Sequence, residues 1–208
     1  MLFRRLASVL APPLCAACGG AAGEREPLCG GCRRGLRWLG TAPACTAGVS
    51  VWAPVAYDGP ARALVRALKF RGLPGMAATM ASQMAANAPP GWLDSGALVP
   101  VPLHPARLRK RGYNQAGRLA AELSARTGLP AVDCLRRSGD GATQVGRGRA
   151  ERLASMAGAV CLESGAAVPD EVVLVDDVVT TGATLSACAG AFRSARVRAI
   201  AYARTPGR

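Results

Sequence analysis

The sequence predicts an α/β protein, a parallel sheet flanked by helices, with a small cysteine-rich segment ahead of it. Three observations carry that expectation. Residues 172–175 are an uninterrupted β-branched and aliphatic run, suited to a strand buried on both faces. Residues 97–101 supply another such run, and amphipathic stretches alternate with strand-like ones along the chain. Residues 1–48 stand apart, holding five of the eight cysteines without a helical or strand period. The expected division is therefore a zinc-ribbon-like segment over 1–48 and an α/β domain over 49–208.

The elements follow in order. Residues 49–58 read as strands broken at Pro54, and residues 60–70 as a helix. Leu64, Val65 and Leu68 share one face of that helix, while Arg62, Arg66 and Lys69 lie on or beside the other. Pro74 opens a second helix to about Asn87, whose Met stripe reads as core, and Pro89-Pro90-Gly91 follows its end. After the strand at 97–101, residues 102–115 read as a loop with four cations between Arg107 and Arg111. A helix over 113–127 stops at Gly128, and residues 129–135 supply another strand. Residues 136–149 form a Gly- and Arg-rich loop of the length lids take, followed by a short helix and an edge strand at 159–162. A helix from Leu185 to about residue 195 precedes the closing strand at 197–202.

Composition narrows the partners. The formal charge of +13 favours anionic ligands such as nucleotides, sugar phosphates or nucleic acid. Lys69 and Lys110 are the only lysines among the 26 basic residues; the rest are arginines, which suit bidentate phosphate contact. No segment approaches the roughly 18 apolar residues needed for a membrane span. Residues 2–14 lead straight into Cys15 rather than into a small-residue cleavage site, so no signal peptide is expected. A cytoplasmic location follows, and there cysteines argue for metal more than for disulfides. Cys15-x-x-Cys18 and Cys29-x-x-Cys32, ten residues apart, form two knuckles whose thiolates complete a tetrahedral, closed, structural zinc site. Cys45 is left over.

The chemistry concentrates after the strand at 172–175. Asp176 and Asp177 lie at its carboxyl end, the edge where open α/β sheets bind ligands. Thr180, Thr181, Gly182, Ala183 and Thr184 make a hydroxyl-rich turn leading into a helix, a phosphate cradle. One acid serves as an ordinary cap, but two adjacent acids before Thr-Thr-Gly-x-Thr exceed what capping needs. The basic run after the other strand supplies the concentrated positive charge a diphosphate requires. His104, the only histidine, has no partner for general-base work. There is no Ser/His/Asp or Cys/His constellation, so positioning and charge neutralisation are the expected tools.

The run from Val175 to Thr184 resembles the phosphoribosyl diphosphate (PRPP) motif of type I phosphoribosyltransferases. Together with the cysteine knuckles, Tyr57-Asp58-Gly59 with Leu68-Lys69-Phe70, and the run from Val99 to Gln115, it resembles the ComF family over nearly the whole chain. The resemblance implies a type I phosphoribosyltransferase fold with an N-terminal zinc ribbon. It implies that Asp176 and Asp177 bind ribose hydroxyls and that Thr180 to Thr184 hold the 5′-phosphate. Leu103, His104, Arg107, Lys110 and Arg111 would meet the diphosphate, with Mg²⁺ bridging diphosphate and ribose oxygens. Phosphoribosyl transfer to a nitrogenous acceptor is one implied function. A non-catalytic role in natural competence, through contacts with a competence-machinery protein or single-stranded DNA, is the other; a dimer is one oligomeric state it allows. Departures are local. Gln144, Arg149 and Arg152 keep part of the family's flexible-loop pattern, whereas Gly141, Arg147 and Ser155 replace its Thr, Leu and Asn. A second cysteine cluster, common in the family, is reduced to Cys45.

Overall fold

The two nine-residue strands carry apolar runs, residues 172–175 and 199–203, that need neighbours on both edges and cover on both faces, and the architecture provides both. A computed structural model describes residues 13–23, 26–70, 74–137 and 160–206. The elements are α1 (Gly30–Arg34), β1 (Ala44–Thr46), β2 (Val49–Trp52), β3 (Val55–Ala56), α2 (Gly59–Phe70), α3 (Pro74–Asn87) and β4 (Ala97–Pro100). They continue as α4 (Pro105–Arg111), α5 (Gln115–Thr127), β5 (Leu135–Arg137), β6 (Val160–Leu162), β7 (Glu171–Val179), α6 (Ala183–Ala189) and β8 (Arg196–Arg204). The main sheet runs β1-β2-β8-β7-β4, with β3 continuing the edge of β8 beyond β2. All its pairings are parallel except β1 with β2, so the sheet is mixed rather than wholly parallel. The exception is a two-residue hairpin. Ala47 (φ 50) and Gly48 (φ 80) sit between the paired Thr46 and Val49, both central residues at positive φ as a type I′ turn demands.

Alternation along the strands divides the core in two. Val173 and Val175 of β7, with Ile200 and Tyr202 of β8, face α2, α3 and α5, where Leu64, Leu68, Met80, Met84, Leu119 and Leu123 are fully buried. Val172 and Leu174, with Ala199 and Ala201, face the other way, onto Leu185, Cys188 and Phe192. The Met stripe of α3 is therefore core: Met76, Met80 and Met84 all lie against the first face.

Four further expectations are corrected. The stretch after β4 is a helix, α4, because His104 caps it, Pro105 opens it and Gly112 (φ 78) closes it. The strand expected over 129–135 shrinks to a single bridge between Ala131 and Leu98; its end, Leu135, opens β5, which pairs antiparallel with β6 instead. α6 ends at Ala189, where Gly190 caps it, well short of residue 195. β7 extends to Val179, so Asp176 and Asp177 lie inside its last turn of pairing rather than beyond it. The expected flexible loop with Gln144, Arg149 and Arg152 beyond residue 137, and the whole of the short helix expected after it, lie outside the described residues. No helix among the described residues is long and apolar enough to cross a membrane.

Candidate functional site

β4 and β7 lie side by side in parallel, Pro100 opposite Val175, and the Val101 amide donates to the Val175 carbonyl at 2.9 Å. The chain therefore leaves both strands at one edge of the sheet. Past β4, the Nδ1 of His104 accepts from the Ala106 amide at 3.2 Å, so the one histidine is occupied as the cap of α4. Arg109, Lys110 and Arg111 sit in the last turn of α4, where positive charge offsets the helix dipole. Arg107 and Lys110 are exposed and make no ion pair among the described residues, while Leu103 is half-buried. Arg111 turns back: its Nη1 donates to Oε1 of Gln115, and its guanidinium lies 5.6 Å from the Phe70 ring centroid. Asn114 fixes the joint between α4 and α5, capping α5 through the Ala116 amide and donating to the Val101 carbonyl at 3.0 Å.

Strand geometry gives the two acids different partners, while their carboxyl groups stay close enough to act on each other. Successive side chains of a strand point to opposite faces, and the partners of Asp176 and Asp177 follow that rule. Asp177, buried, faces α2 and α5: Lys69 Nζ lies 2.8 Å from its Oδ2, and Gln115 Nε2 donates to its Oδ1 at 3.4 Å. The lysine contact is an ion pair rather than an aligned hydrogen bond, since Oδ2 has no well-directed donor. Gln115 and Asp177 are the buried polar side chains among the described residues. Asp176 belongs to the α6 face and is half-buried, its charge pushing up the thiol of Cys188 after burial has already done so. Desolvation, and then the charge of Asp177, holds the Asp176 carboxyl well above the usual carboxylate range. Its Oδ1 accepts from the Asp177 amide at 2.8 Å.

The turn after β7 presents Thr180, Thr181 and Ala183 to solvent and half-buries Thr184, with Gly182 buried between them. Gly182 has φ +76, and a Cβ there would stand 2.5 Å from Thr46 Cγ2 and 3.2 Å from Ala47 Cβ. Glycine is required twice over, by backbone conformation and by the closeness of the β1–β2 hairpin. That hairpin is the floor on which the threonine turn rests.

The cysteines form a second constellation. Leu14 and Ala21 pair across the first knuckle, and the Gly19 amide donates to the Cys15 carbonyl at 3.0 Å. Cys29 caps α1, which carries Cys32 one turn on. The Sγ atoms of Cys15, Cys18, Cys29 and Cys32 all lie within 4.8 Å of one another, and Cys18 and Cys29 are 3.7 Å apart. A tetrahedron with Zn–S bonds of about 2.3 Å has edges of about 3.8 Å, so the donor set fits structural zinc. Burial raises the Cys15 thiol, but the amides of Cys18, Cys29 and Ala17 outweigh it and bring the group down to about 6. Cys32 is pushed up to about 12 by burial and then by Cys18 and Cys15, a repulsion a divalent cation relieves. Cys45 is exposed on β1, away from this group. The knuckle docks on the domain through Cys15, Leu28 and Leu36, which join the first core face. A groove of about 690 Å³ separates Ala16 and Ala17 from Arg62, Ala63, Arg66 and Phe70 of α2.

Of the residues read from sequence, the structure joins Arg111 to Asp177 through Gln115 and brings the four cysteines together. Sequence reading missed Lys69 and Gln115 as partners of Asp177. Lys69 carried a signal: it is one of only two lysines and stands in the Leu68-Lys69-Phe70 run.

The molecule is thus an α/β protein with a four-cysteine knuckle and a ligand-type edge where β4 and β7 end. The double zinc ribbon domain family matches residues 6–51. The chain is 36% identical over 107 residues to competence protein F of Haemophilus influenzae, covering 50% of this chain and 47% of that protein. It is 33% identical over 88 residues to competence protein ComFC of Streptococcus pneumoniae, covering 42% of this chain and 37% of that one. Each match spans less than half the length of the curated relative. Together these likenesses support the ComF family. The matching domain family is a double ribbon, yet the described residues hold one four-cysteine group.

Proposed function

We propose that the chain binds PRPP, or a closely related sugar phosphate, at the shared edge of β4 and β7, and that it acts in natural competence. The observation that carries the ligand reading is the placement of Asp176, Asp177 and the Gly182 turn beside the cationic end of α4. Asp176, half-buried, accepts from ribose hydroxyls, and Thr180, Thr181, Gly182, Ala183 and Thr184 enclose the 5′-phosphate. Arg111, with the exposed Arg107 and Lys110, neutralises the diphosphate end; Leu103 and His104 shape the loop that leads there. Mg²⁺ would accompany the substrate, held mainly by its diphosphate and ribose oxygens, as hard cations with few protein ligands are. If transfer occurs, a nitrogen nucleophile attacks the anomeric carbon as diphosphate departs, and the cations stabilise the leaving group.

A non-catalytic role is favoured by a different observation: the curated relatives are named for competence, and the groove between the knuckle and α2 presents Arg62 and Arg66 to an anionic partner. A competence-machinery protein or single-stranded DNA fits that charge. Calorimetric titration with Mg²⁺–PRPP separates the readings. Saturable binding that is lost in Asp176→Ala supports the ligand site; no binding, or binding indifferent to that substitution, refutes it. Diphosphate release with a panel of nucleobases then distinguishes an enzyme from a sensor.

A further inference from the structure

Asp177 is enclosed. Its side chain is 3% exposed, and its two oxygens meet Lys69 and Gln115. A carboxylate so placed is spoken for within the protein and has no open side for a ribose hydroxyl. We infer that Asp177 is a positioning residue and that Lys69 is the group through which it acts, its Nζ contacting the diphosphate end of the ligand. This rests on the PRPP reading above.

Three features support the assignment. Lys69 rides on the last turn of α2, and that turn is clamped to the segment following β4: Tyr113 Oη donates to the Leu68 carbonyl, and Arg111 stacks over Phe70. Lys69 is therefore held close to Arg111 and to the segment that follows β4. An ammonium has three donors; Asp177 attracts it as an ion-pair partner without fixing any of the three, and 21% of the lysine side chain remains exposed. Finally, a largely desolvated ion pair is poor value for stability alone, since desolvation consumes much of the attraction. The chain nevertheless keeps one of its two lysines here, where 24 of its 26 basic residues are arginine. A compact point charge that one carboxylate can hold and a phosphate can share suits lysine better than a planar fork.

The test is calorimetry on the full chain with two probes, Mg²⁺–PRPP and ribose 5-phosphate, which lacks the diphosphate. Lys69→Met should weaken PRPP by about tenfold or more, the loss of a charge-assisted bond, while ribose 5-phosphate changes by less than about twofold. Asp177→Asn should reproduce that pattern. The double variant should be no weaker than the worse single variant, because the two act as one unit. The double variant also removes both charges, so it keeps the test open should Lys69→Met leave Asp177 buried, unpaired and unfolded. Equal losses for both probes would overturn the inference in favour of a structural ion pair. So would PRPP binding indifferent to Lys69→Met, leaving the ligand reading intact. A wild-type chain that binds no PRPP overturns both.

Discussion

The knuckle and the strand-end site are built in opposite ways. The knuckle draws its four ligands from 18 consecutive residues, Cys15 to Cys32, and its geometry is nearly complete in the spacing. The strand-end site draws on Lys69, Arg111, Gln115 and Asp177, side chains that only the sheet order brings together. One has the donor set that an ion would organise, the other the support of a core. A short segment without apolar mass needs a cation to fix it, whereas a site at the end of β7 inherits rigidity from residues buried on both faces of the strand.

That contrast can be broken first at the metal. One zinc per chain is expected by elemental analysis. Cys15→Ser or chelation should abolish it, removing binding free energy on the order of 10 kcal/mol and leaving the knuckle proteolysed while the sheet survives as circular dichroism. A sheet that melts together with the knuckle would show that the two are one cooperative unit. Next comes Gly182→Ala, which places a Cβ 2.5 Å from Thr46 Cγ2 in a left-handed backbone. A loss of about 2–4 kcal/mol in denaturant unfolding and a failure to bind sugar phosphate are expected; wild-type stability would mean the hairpin yields. Asp176→Asn should move the other way. It removes a carboxylate that burial and Asp177 disfavour, so the ligand-free chain should gain about 1 kcal/mol while PRPP binding falls. The smallest effect is Ala47→Gly, which relieves a non-glycine residue at φ 50 and should add about 1 kcal/mol, read as a rise in Tm.

How legible each region was follows from how local it is. Paired cysteines, the acid pair and the Thr-Thr-Gly turn are contiguous in sequence, and all were readable before the fold. The helical cover was readable too, down to the buried Met80 and Met84. What escaped was anything decided by partners. Residues 105–111 read as a basic loop because charge dominates them, although His104, Pro105 and Gly112 carried start and stop signals. The acids do act on each other, as their adjacency suggests, but their separate partners, Lys69 and Gln115 for Asp177 and the α6 face for Asp176, are set by the fold. Lys69 read as part of the polar side of its helix, since nothing local reveals that Asp177 waits across the sheet edge.

The β1–β2 hairpin has a practical consequence for anyone dissecting this chain. A fragment begun at Val49 would discard Thr46 and Ala47, the residues that meet Gly182. Such a fragment would keep every residue of the ligand motif and still lose the surface beneath its threonine turn. Chimeras that exchange ribbons between relatives should accordingly be joined upstream of Ala44, so that the hairpin travels with the sheet it supports.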